Sequence, residues 1–173
     1  AIAERFSAQI RGFNQGARNA ADAISLTQTA EGAINEVVSN VQRIRELAIQ
    51  SANATNSSTD RAALQTEVSQ LKAEITRVTN TQFNGVNIIG GGATSFVFQV
   101  GANVRSADKV TVTTQDVTGL SGYTDVTGTG TIATVAGAST MVTNADTFLN
   151  ALNTERANLG AAQNRFESVI RNA

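Results

Sequence analysis

The run from Asn19 to Ala54, NAADAISLTQTAEGAINEVVSNVQRIRELAIQSANA, contains no proline and a single glycine, Gly32. Its apolar residues step through Ile24, Ala30, Ile34, Val37, Val41, Ile44 and Ala48, mostly in gaps of three and four that keep them on one stripe of an α-helix. Toward the start of the chain the stripe continues through Ala20, Ala17, Phe13, Ile10, Phe6 and Ile2. The pattern predicts one helix from near the first residue to Ala52, stopped by the polar break Asn53-Ala54-Thr55-Asn56-Ser57-Ser58. At about 1.5 Å per residue such a helix is roughly 75 Å long, more than the width of a compact domain of this size. The chain is organised on a rod.

Composition narrows what the rod does. Hydrophobic residues make up 41% of the chain but aromatics only 5%, with alanine supplying much of the apolar count. That suits closely approaching helices better than a pocket lined by rings. A net charge of −1 exerts no long-range pull on nucleic acid or an anionic membrane. No apolar run approaches the roughly 20 residues that cross a bilayer, and no signal-peptide pattern opens the chain. A soluble protein without nucleic-acid binding or membrane insertion is expected. The chain lacks cysteine and histidine, which removes disulfides, thiolate and imidazole metal sites, the usual general base and every Ser-His-Asp arrangement. Carboxylate pairs such as Glu67 with Glu74 have ordinary spacing for a solvated helix face. No catalytic, cofactor or metal site is expected, and the chain does not read as an enzyme. Proline is absent as well, so no X-Pro isomerisation slows folding, which would suit export through a narrow channel.

Taken in order, the chain opens with Ala1-Ile2-Ala3-Glu4-Arg5-Phe6 already in helical register and with no capping residue, which reads as a cut inside a longer helix. Gly12 and Gly16 form a small-xxx-small pair, open to two readings: a close helix crossing or tolerated surface glycine. A membrane-dimer role is excluded by Arg11 and Arg18 beside them. After the break, Thr59 or Asp60 is expected to cap a second helix with the stripe Leu64, Val68, Leu71, Ile75, Val78, folded back antiparallel on the first. Asn53-Ala54-Thr55 and Asn56-Ser57-Ser58 fit the N-glycosylation pattern, but turn chemistry accounts for the same residues.

Asn84-Gly85 ends the helical region. Residues 85–137 then hold ten of the fourteen glycines, many threonines and few charges. Residues 95–100 and Lys109–Thr113 read as the strands of an antiparallel hairpin, their connection beginning at Gly101-Ala102-Asn103. Gly90-Gly91-Gly92 lacks the Lys-Ser/Thr of a phosphate loop and reads as a turn. Residues 119–140 are a Gly/Thr/Ala connection expected to form a short extra strand or a mobile loop. A last helix is expected from Ser139 or Thr143. Ala145, Leu152, Leu159 and Phe166 fall seven apart in it, interleaved with Phe148 or Leu149, Ala162, and Val169 or Ile170. It ends at Ile170-Arg171-Asn172-Ala173 with no glycine stop, so both ends read as cuts. The expected fold is mainly α (α+β): an elongated antiparallel bundle of three long helices with a small β-hairpin section. One domain is expected overall, comprising a helical hairpin over 1–85, the hairpin and Gly/Thr connection over 86–138 and a returning helix over 139–173.

Several stretches in this order resemble bacterial flagellin, in particular its core helical domain beneath the filament surface. They are residues 1–6, 19–24, 28–33 (QTAEGA), 42–48 (QRIRELA), 81–86 (TQFNGV), 99–103 (QVGAN) and 159–166 (LGAAQNRF). Together they span nearly the whole chain. The resemblance implies an extracellular structural subunit of the flagellar filament, serving motility. It also implies that terminal assembly segments and large outer domains are missing here. Implied partners are other flagellin subunits, a flagellar export chaperone, the cap protein and the innate immune receptor Toll-like receptor 5. By the same resemblance the receptor docks on the helical face, and the interaction set maps to Gln42, Arg43, Glu46, Leu47, Gln50 and Glu67. Arg43 and Leu47, one helical turn apart, are expected to form one exposed patch with Glu67 beside it. A face kept for subunit contacts is the plainer reading of the same residues. The alternatives are a hook–filament junction protein and a cell-surface adhesin or polysaccharide-binding homologue. One tyrosine and no tryptophan give little material for a sugar site.

Overall fold

The computed structural model describes residues 1–92, 95–103 and 106–172. Helix α1 runs Ile2–Ser51, 50 residues without interruption. From Ala20 onward its stripe is buried, with Ala30, Ile34, Val37, Val41, Ile44 and Ala48 almost without exposure. The break that follows is turn chemistry: Asn53 Oδ1 accepts from the Thr55 N–H at 3.1 Å and from the Thr55 hydroxyl at 2.9 Å. Helix α2, Ser58–Thr79, is capped by Ser57 and not by Thr59 or Asp60. The Ser57 hydroxyl accepts from the Asp60 N–H at 3.1 Å, while the Asp60 carboxylate accepts from the Ser57 N–H at 2.9 Å. This reciprocal pair satisfies two orphan donors at once, which a cap starting at Thr59 or Asp60 does not.

Three helices lie antiparallel. Arg43 meets Glu67 and Glu36 meets Arg77, so α2 descends as α1 rises. Helix α4, Val135–Asn172, does the same, since Arg45 meets Asp146 and Asn35 meets Arg156. It begins four residues before Ser139, because the Thr134 hydroxyl accepts from the Gly137 N–H at 3.0 Å and starts the helix there. Ala173, read as its last residue, lies outside the described residues. Ala145, Phe148, Leu152, Leu159, Ala162 and Phe166 are buried and join α1 and α2 in one core.

The β section is two small antiparallel pairs. Strands β1 (Gln82–Phe83) and β2 (Val86–Asn87) are joined by Asn84 and Gly85, with φ of 51° and 80°. Two consecutive positive φ values are what a two-residue hairpin turn demands, and Asn-Gly supplies them. Strands β3 (Ser95–Gln99) and β4 (Lys109–Thr113) form the expected hairpin, pairing Ser95 with Thr113 through to Gln99 with Lys109. Phe96, Phe98, Val110 and Val112 face the helices, and Phe98 meets Phe166 edge-on at 6.0 Å.

The connection after β4 is neither an extra strand nor an unanchored loop. It forms a 3-10 turn at Val117–Gly119 and a short helix α3 at Tyr123–Thr127, with Val117, Val126 and Ile132 fully buried. Side chains of α1 and α2 satisfy its backbone. Ser51 Oγ donates to the Ile132 carbonyl at 2.5 Å, and Gln65 Oε1 accepts from the Ile132 N–H at 2.8 Å. Lys72 Nζ donates to the carbonyls of Gly128 and Gly130. Partial burial lowers the Lys72 ammonium pKa.

The two readings of Gly12 and Gly16 separate here. Both approach the β3–β4 connection rather than another helix. A Cβ built on Gly16 would lie 2.7 Å from the Val100 carbonyl carbon, and one on Gly12 would lie 2.9 Å from Ala102 Cβ. Gly32 has nothing within 4 Å.

Candidate protein-interaction surface

On α1, Gln42, Arg43, Glu46 and Gln50 share the face turned away from the core. The Arg43 guanidinium forks onto Glu67 of α2, with Nε at 2.9 Å from Oε1 and Nη2 at 3.4 Å from Oε2. Its Nη1 donates to Glu46 Oε1 at 2.8 Å. The hydrogen bond to Glu67 raises the Arg43 pKa above its ordinary value, and the charges of Glu67 and Glu46 act in the same direction. All three side chains stay open to solvent, at 41%, 69% and 42% for Arg43, Glu46 and Glu67. Pairs this exposed contribute little to stability. They preset the shape and charge of a surface.

The structure therefore brings Arg43, Glu46 and Glu67 together and leaves Gln42 and Gln50 exposed on the same helix. Leu47 does not belong with them. It is 1% exposed, in the core beside Ile44 and Ala48. Its four-residue spacing from Arg43 turns it about 40° around the helix toward the apolar stripe, where the core covers it. The exposed apolar residue nearby is Ile49, half accessible at 50%. Its signal in the sequence was an isoleucine lying off the stripe of Ile44 and Ala48.

A second surface lies at the start of α1. Ile2, Phe6, Ile10 and Phe13 are 72%, 62%, 57% and 53% exposed. In the α1–α4 register, Asn172 at the described end of α4 comes level with Asn19. The stripe is unbroken in sequence; its first residues stay exposed, with Phe13 bordering a hollow it shares with Val100 and Val169. No group of three or more acidic side chains among the described residues is placed to hold a metal ion. No helix among the described residues is long and apolar enough to cross a membrane.

The chain is an elongated, mainly α rod. The model of the bacterial flagellin N-terminal helical region matches residues 1–94. The flagellin of Halalkalibacterium halodurans is 42% identical over 173 residues, covering 99% of this chain and 62% of the relative. That of Xenorhabdus nematophila is 53% identical over 104 residues, covering 60% of this chain and 33% of the relative. The crystal structure of Bacillus cereus flagellin superposes with a TM-score of 0.79 at 30% identity, covering 91% of this chain and 89% of that one. This chain belongs to the bacterial flagellin family. It spans between a third and about three-fifths of the length of these two curated relatives.

Proposed function

We propose that this chain is part of a structural subunit of the bacterial flagellar filament, acting outside the cell in motility, with other flagellin subunits as its main partners. The observation that carries the reading is the exposed stripe of Ile2, Phe6, Ile10 and Phe13. Four large apolar side chains in a row on a monomer's surface are costly in water and mark a face that another helix covers. Flagellin membership supplies the kind of neighbour. In the same reading the export chaperone and the cap protein handle the chain before assembly. Toll-like receptor 5 docks on the α1–α2 face through Gln42, Arg43, Glu46, Gln50 and Glu67, with Leu47 supporting that face from beneath.

The filament reading is tested by grafting this chain in place of the matching region of the Halalkalibacterium halodurans flagellin. Electron microscopy of the sedimented material is expected to show filaments from the graft and none from a graft carrying Phe6→Asp and Ile10→Asp. Filaments from both grafts would remove the stripe's role; filaments from neither would remove the subunit reading. For the receptor, Arg43→Asp is expected to weaken binding of the isolated ectodomain. Unchanged binding would exclude this face.

A further inference from the structure

The outer edge of β4 is open. In an antiparallel ladder, alternate residues turn their N–H and C=O groups toward the partner strand, and those between turn them away. The bond from the Val100 N–H to the Asp108 carbonyl, 2.7 Å, sets the phase. With Gln99 paired to Lys109, residues 108, 110 and 112 bond inward, while Lys109, Thr111 and Thr113 point their backbone groups outward. Two further contacts confirm the phase. On β3 the outward carbonyl of Gln99 accepts from Asn19 of α1 at 2.7 Å, so a helix takes up that end of the β3 edge. On β4 the next outward N–H, that of Gln115, donates to the buried Glu155 carboxylate at 3.2 Å. Glu155 ends the open row. Between Glu155 and Lys109, no described residue takes up the outward backbone groups of Lys109, Thr111 and Thr113.

This edge faces a groove of about 520 Å³. Thr111, Thr113 and Gln115 form one wall, and Asn158, Ala161 and Arg165 of α4 are among those forming the other. The small side chains at Ala161 and Ala162 leave room for a backbone to lie against the helix. The groove is polar along its length and its ends differ in charge. Glu155 stands at one end. Arg165 and Lys109 stand toward the other, both exposed and without an ion-pair partner among the described residues. Asp108, next to Lys109, already has a partner.

We infer that the groove between β4 and α4 takes an extended acidic peptide segment, which adds to Lys109–Thr113 as a third strand and sets its carboxylates against Lys109 and Arg165. Backbone groups of the added strand supply the missing partners, and the charge at the far end sets the direction. Antiparallel addition places the segment's C-terminal end beside Lys109. The edge is a property of the hairpin and stands whether or not the chain polymerises.

The test uses the full 173-residue chain and a probe, acetyl-Thr-Val-Thr-Val-Glu-Glu-amide, followed by amide NMR. Saturable shifts are expected at Lys109, Thr111, Thr113, Ala161 and Ala162. They should vanish when alternate peptide nitrogens are N-methylated and weaken about fivefold when the two glutamates become lysines. Thr111→Pro removes one outward donor without touching the inner ladder and should abolish binding. The N-methylated probe keeps the test decisive if that variant folds poorly. No saturable shift at millimolar probe, or equal binding of the N-methylated probe, overturns strand addition. Shifts at these amides that depend on the chain's own concentration, without probe, overturn the acidic-segment assignment in favour of a second copy of this chain.

Discussion

Gly16→Ala and Gly32→Ala are the same chemical change in the same helix, and they are expected to have opposite signs. In an exposed helix interior, alanine is better than glycine by up to about 1 kcal/mol. Gly32 has nothing within 4 Å of the added carbon, so it should collect that gain. At Gly16 the added carbon would lie 2.7 Å from the Val100 carbonyl carbon and closer still to its oxygen. Backbone cannot swing aside as a flexible side chain does. Either α1 or the β3–β4 connection must retreat, and forced overpacking of this kind costs about 1–3 kcal/mol. Net of the full helix gain, Gly16→Ala should lose up to about 2 kcal/mol. For a chain of this length each kcal/mol shifts the melting temperature by about 2–4 °C. Thermal unfolding followed by circular dichroism should therefore rise for Gly32→Ala and fall for Gly16→Ala. If the loss is taken as local undocking, it should appear as faster exchange of the Val100 amide, which bonds to Asp108 next to the contact. An equal rise in both variants, with Val100 exchange unchanged, would refute the close approach.

Other substitutions test the remaining contacts. Leu47→Ala should destabilise by about 2–5 kcal/mol in urea unfolding, whereas Gln50→Ala should be near neutral. Ser57→Ala should cost about 1 kcal/mol by removing half of the reciprocal cap. The hydrogen bond from the Ser57 backbone also holds the Asp60 carboxyl below its usual range, so the wild type should lose this contribution as pH falls through that lowered value. Burial raises the Glu155 carboxyl above its usual range, against hydrogen bonds from Gln115 and Asn158 that lower it. Its contribution is full below the unfolded value and is lost as pH rises through the folded one. Glu155→Gln should therefore match the wild type at acidic pH and exceed it at neutral pH. A constant difference across that range would contradict an ionising buried carboxyl.

Much of this fold was legible because long helices repeat their signal. The α1 stripe from Ala20 to Ala48, the α2 stripe and the heptads of α4 each recur often enough to decide both element and buried face. The strand alternation Lys109–Thr113 was as clear. The β1–β2 turn carried a readable signal in Asn84-Gly85, but its strands are two residues each, too short to show a period. Residues 117–132 carry Val117, Leu120, Tyr123, Val126 and Ile132, but glycines and threonines between them break up any helical or strand pattern. Their placement depends on Ser51, Gln65 and Lys72, which lie far away in sequence. The interaction face was half legible. Spacing put Arg43, Glu46 and Gln50 on one side of α1, but it could not say how far the core reaches around the helix. That reach is what buried Leu47 and left Ile49 exposed. Spacing was also silent on how much of the α1 stripe the described part of α4 covers, and so the exposed residues from Ile2 to Phe13 could not be told from the buried ones.

The most direct measurement is hydroxyl-radical footprinting of Phe6 and Phe13 in the Halalkalibacterium halodurans graft, as monomer and as sedimented filament. Phe166, fully buried within the chain, serves as the internal reference. Strong labelling of Phe6 and Phe13 in the monomer and its loss in the filament, against a constant low signal at Phe166, is the result expected if assembly covers the stripe. Equal labelling of Phe6 and Phe13 in both states would contradict the claim that this face is where the subunit meets its neighbours.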